Sequence, residues 1–129
     1  GSGDLVMFIG NNLRIEADGG VGYDAVPIYT QVGTFEAKTA GSGGIFIVEA
    51  DGVDIGNVEI PGYADTVSGL TTGNGGDISV INLGGLFTNT AVVNANGGDI
   101  FITTNDITLG NILRSGIPAA PPGTMGQGL

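Results

Sequence analysis

Asp77 and Asp99 stand 22 residues apart, each directly behind a glycine pair, Gly75-Gly76 and Gly97-Gly98. Two carboxylates at one position of a repeating backbone would sit a rung apart, close enough to share a hard cation such as Ca²⁺. The competing role for an aspartate in this setting is a corner residue whose carboxylate accepts hydrogen bonds from turn amides. Other chemistry is scarce. The chain has no His and no Cys, which removes Ser-His catalysis, cysteine nucleophiles, thiolate metal sites and disulfides together. Polysaccharide cleavage would need two carboxylates flanking a sugar bond or carboxylates clustered with a base. The three bases, Arg14, Lys38 and Arg114, are dispersed. A non-enzymatic protein without a cofactor is therefore expected, with a polysaccharide-active enzyme as the weaker alternative and Ca²⁺ as the one candidate ion. The glycine pairs are not phosphate loops, since no Lys follows them and no helix begins there.

Aromatic residues offer a second kind of chemistry, stacking on sugars. Of Tyr23, Tyr29 and Tyr63, the last lies in a stretch, Pro61 to Thr72, that reads as an insertion. Recognition resides preferentially on such excursions from a regular scaffold. Pro61, Gly62, Tyr63 and Asp65 are accordingly the candidate partner contact.

Composition narrows the partners. Thirteen acidic residues against three basic ones give a net charge of −10 over 129 residues, which repels phosphate backbones and anionic lipid head groups. Nucleic acid is not expected as a partner. No apolar run approaches the roughly 18 residues of a membrane span, so membrane insertion is not expected either. Gly1 to Asp4 lacks a basic region and Leu5 to Ile9 is short, so no secretory leader is read; the chain looks like part of something longer. A hydrophobic content of 41% argues for a packed core, and 26 glycines without collagen spacing look like turn residues.

The elements that would position these residues come from a repeat. GGDIFITTNDITLGNILR (Gly97 to Arg114) lies without gaps on Gly43 to Ile60 and on Gly75 to Val92, keeping the glycine pair and the apolar positions. Each copy has an asparagine thirteen residues after its second glycine, namely Asn57, Asn89 and Asn111. Counting from the glycines places Phe46, Ile78 and Ile100 inward, with Val48, Val80 and Ile102, and then Ile55, Phe87 and Leu109. It sends Ile47, Ser79 and Phe101 outward. A basic turn of about 22 residues made of short strands and glycine corners is too short for a helical repeat. It suits a coil of three strands, each pairing in parallel with its equivalent about 4.8 Å above. Asn57, Asn89 and Asn111 would then stack as an amide ladder. The fold class is all-β, a single-stranded parallel β-helix, or β-solenoid; a two-sheet β-sandwich built from the same strands is the alternative.

Organisation follows. Residues 1–40 are N-terminal strands or a cap, 41–116 are solenoid coils, and 117–129 form a Pro/Gly-rich tail or linker. Within the first block two registers compete. One sets Val32 to Phe35 on Ile55 to Val58; the other sets Glu16 to Gly19 on Glu49 to Gly52.

The repeats GNGGDISVI (Gly73 to Ile81), NGGDIFITTNDITLGNI (Asn96 to Ile112) and GSGGIFIVEADGVDIGNV (Gly41 to Val58) resemble those of the filamentous haemagglutinin-like family, large exported bacterial adhesins with right-handed parallel β-helix passengers. The resemblance spans about Gly41 to Gly116. It implies a structural segment of a secreted or cell-surface adhesin, acting as stalk or adhesion surface, extracellular, with neighbouring repeats and a glycan or host surface as partners. The rival expectation is a self-assembling extracellular filament of identical subunits stacked end to end, since coil ends expose unpaired strands.

Overall fold

The computed structural model describes residues 7–59, 62 and 68–115. Among the described residues there are thirteen strands and no helix: β1 (Met7–Ile9), β2 (Asn12–Ala17), β3 (Ile28–Gln31), β4 (Thr34–Thr39), β5 (Ile45–Glu49), β6 (Val53–Ile55), β7 (Leu70–Thr71), β8 (Ile78–Asn82), β9 (Leu86–Asn89), β10 (Val93–Asn94), β11 (Ile100–Thr103), β12 (Asp106–Leu109) and β13 (Leu113–Arg114). They form two sheets, one ordered β1-β3-β5-β8-β11 and one ordered β12-β9-β6-β4-β7-β10-β13 with β2 on β4. A sandwich would pair its strands antiparallel. Every ladder here is parallel, and each strand lies on its equivalent one turn away. The fold is a parallel β-helix of about five coils.

Alternation decides which side chains fill it. Ile45, Ile78 and Ile100 stack in one inward column, and Ile28, Ile47, Val80 and Ile102 in the next. The second sheet adds Phe35 beside Ile55 and the column Ala37, Leu70, Val93, Leu113. These columns are the hydrophobic core, and burying them is what holds the described coils together.

The observed register differs from simple counting in four places. Ile45, not Phe46, lies on Ile78, so Gly44 takes the position of Asp77. That one-residue slip reverses the faces: Ile47 is 3% exposed in the core, and Phe46 points outward. On the second sheet Val53 lies on Phe87 and Ile55 on Asn89, which in turn lies on Leu109. Ile55, Phe87 and Leu109 therefore do not share a column, and Asn57, Asn89 and Asn111 do not form a ladder. At the N-terminus neither expected register occurs, because Phe35 pairs with Ile55 and Glu16 with Lys38. Strands β1 to β4 are the first two coils of the same ladder, so the coils begin well before Gly41.

Turn length is uneven for a visible reason. Met7 pairs with Tyr29, Ile28 with Ile47, Ile45 with Ile78 and Ile78 with Ile100, so successive turns advance 22, 19, 33 and 22 residues. The long turn contains an excursion. Its root is closed by Gly69 N–H donating to Gly56 C=O at 3.2 Å. Below it β4 runs unbroken, with Phe35 on Ile55 and Ala37 on Leu70. Leu70 and Thr72, expected in the loop, are fully buried in the coil instead.

At the glycine corner adjacent coils nearly touch. A Cβ on Gly98 would lie 2.5 Å from the Gly76 carbonyl oxygen, and Gly97 holds φ +103°. The first glycine of that pair turns the chain and the second makes room for the backbone of the coil beneath.

Candidate functional site

The outer face of the first sheet carries the most unusual surface. Outward positions on a solvated sheet face are ordinarily polar. Here Phe46, Ser79 and Phe101 occupy one outward column, and Tyr29, Val48 and Ile81 the neighbouring one. Phe101 is 54% exposed. Two rungs separate Phe46 from Phe101, about 10 Å at the usual strand spacing, and the small Ser79 between them leaves a slot. Asp24 and Asp77 complete its lining. Asp24 is presented by a tight loop closed by reciprocal bonds, Tyr23 N–H to Val26 C=O at 3.0 Å and Val26 N–H to Tyr23 C=O at 3.1 Å. Aromatic faces offer a stacking surface, while serine and carboxylates offer hydrogen-bonding groups to a hydroxylated ligand. Of the two outward apolar positions expected, Phe101 is where it was placed and Ile47 is not. Phe46 was missed because its signal, the absence of an aspartate between Gly44 and Ile45, is a deletion.

Asp77 and Asp99 are on neighbouring rungs as expected, and the Asp99 N–H donates to Asp77 Oδ1 at 2.9 Å. That bond is the corner role. Among the described residues no group of three or more His, Cys, Asp or Glu comes together to hold a metal. The position beneath Asp77 is Gly44, which brings no third carboxylate.

Of the expected partner contact, Pro61, Tyr63 and Asp65 lie outside the described residues, and Gly62 is exposed with φ +79°. The root of that excursion is described, and sequence reasoning missed what anchors it. Glu36 faces outward from β4 yet is fully buried. Arg14 Nε lies 2.7 Å from its Oε2, and Val58 N–H donates to its Oε1 at 3.3 Å. Arg14 also reaches Glu16 at 3.1 Å. Two opposite charges at equivalent positions of β2 and β4 were the available signal, hidden until the register was known.

A second buried carboxylate, Glu49, closes the corner after β5. Its Oε1 accepts from the Thr30 hydroxyl at 2.8 Å and from Val32 N–H at 3.0 Å, and its Oε2 from Asp51 N–H at 3.2 Å. Asn82 stands one rung on, accepting from Gly52 N–H at 2.9 Å and donating to Gly85 C=O and Thr104 Oγ1, both at 3.1 Å. Burial pushes the Glu49 carboxyl above the ordinary range, against the pull of its three donors. Enclosed and held by two backbone amides and one hydroxyl, this group staples adjacent coils. The three asparagines expected to stack bond other groups instead, two of them across adjacent coils. Asn89 accepts from Gly110 N–H at 3.0 Å, Asn111 donates to Thr90 C=O at 3.2 Å, and Asn57 accepts from the Ser68 hydroxyl.

Compared with protein-family models, with curated proteins and with solved structures, the chain matches none.

Proposed function

We propose that the chain is a non-enzymatic structural segment of a larger extracellular or cell-surface adhesin of the filamentous haemagglutinin-like kind, stalk and adhesion surface at once. The observation that carries this reading is the outward Phe46, Ser79 and Phe101 column between Asp24 and Asp77, held on a rigid ladder. Its ligand is a neutral glycan, because a net charge of −10 disfavours anionic polysaccharides and rings two rungs apart suit alternate sugars of an extended chain. The test is binding to neutral insoluble polysaccharides and to an immobilised glycan panel, comparing the wild type with Phe101→Ser and Asp24→Asn. Binding that falls at least tenfold in Phe101→Ser, with unchanged melting temperature, supports the reading; binding equal in all three overturns this face as the adhesive one.

A second reading, the self-assembling filament, is favoured by a different observation. The last described coil leaves Ile107, Leu109 and Ile112 about half exposed.

A further inference from the structure

We propose that copies of this chain stack head to tail, the C-terminal coil of one against the N-terminal coil of the next, in a register already written in the columns. The inference rests on the filament reading and is independent of the glycan face. Among the described residues, β1 and β2 at one end and β11, β12 and β13 at the other each pair on one side only. Such edges accept another parallel strand.

Extending each column by one rung determines what meets at the seam. Leu109 belongs to the column that begins at Leu13, and Leu113 to the column that begins at Ile15. In a stacked pair these apolar residues meet and continue the core. Thr108 ends the column that begins at Asn12, so a hydroxyl meets an amide. Arg114 ends the column that begins at Glu16, so the last coil brings a cation onto an anion. The continuous β2 would lie across the divided β12 and β13, a junction the chain already makes where β4 lies across β6 and β7. The contact is heterologous and does not close on itself, so repetition yields an open fibre. A second copy is the occupant singled out because the first and last described coils supply matching halves, apolar to apolar and Arg114 to Glu16.

The absence of cysteine in the chain makes the register directly testable. Thr108→Cys and Asn12→Cys variants are prepared separately, mixed and oxidised; neighbouring strands at about 5 Å permit a disulfide. The expected result is a covalent dimer joined at positions 108 and 12 by mass spectrometry. Asp106→Cys mixed with Asn12→Cys, two residues out of step, should yield several-fold less. Sedimentation and negative-stain microscopy should show rods that lengthen with concentration, and Arg114→Glu should shorten them at equal concentration. Monomers at every concentration without the 108–12 bond would overturn the stacking and leave the stalk reading standing. Equal yield from the out-of-step pair would overturn the register.

Discussion

Arg14 and Glu36 occupy equivalent positions on adjacent coils, with Arg14 Nε 2.7 Å from Glu36 Oε2, on the outward side of a sheet where water would ordinarily solvate both. Glu36 is instead fully buried, with Val58 N–H on its other oxygen. The pair therefore ties the root of the excursion to the second coil. Burying two charges is costly unless they meet each other and further donors, and here they do.

Removing one member should leave the other charge stranded. Arg14→Met is expected to lower unfolding stability by about 3 kcal/mol, while Arg14→Met with Glu36→Leu recovers most of that loss. Urea denaturation of the three proteins checks it, and a single variant as stable as the wild type would show that the pair is solvated.

Glu49 predicts a pH dependence with a definite sign. Its folded pKa is raised above 4.5 by burial, so the folded state holds this proton more tightly than the unfolded state. Its contribution to stability is full below the unfolded value and is lost as pH rises through the folded one. Glu49→Gln mimics the protonated form, so the stability of the variant relative to the wild type should rise as pH climbs from 4.5 towards neutrality. Thermal melts across that window, giving a constant difference, would contradict it.

The glycine corner should be intolerant where coils touch and indifferent elsewhere. Gly98→Ala places a Cβ 2.5 Å from a backbone oxygen, and a shift of the ladder costing about 2 kcal/mol is expected. Gly10→Ala meets nothing within 4 Å, and its effect should stay within about 0.5 kcal/mol. Equal effects at the two positions in chemical denaturation would refute the close-approach argument.

Asp77 separates its two candidate roles. As acceptor for the Asp99 N–H, Asp77→Ala should cost about 1 kcal/mol and Asp77→Asn, which keeps an oxygen acceptor, distinctly less. Melting temperatures measured with calcium and with chelator should agree for all three proteins. A calcium-dependent rise confined to the wild type would make Asp77 and Asp99 a cation site.

The repeat itself was legible from one dimension. Glycine pairs followed by Asp77 and Asp99 and by alternating apolar residues set both the coil and the 22-residue step that places Ile78 on Ile100. A bare corner and an inward-outward alternation are local requirements, which each segment of sequence satisfies alone. Tertiary structure decided the rest, because corners absorb a variable number of residues and counting along the chain then loses register. Gly44 in place of an aspartate moved Ile47 into the core and Phe46 onto the surface. The excursion between Gly56 and Gly69 hid the continuation of the coil through Leu70 and Thr72. Arg14 and Glu36 are separated by 22 residues of sequence and became a buried pair only when β2 lay on β4. Position along the chain determined which residues could alternate; contact between coils determined which of them met.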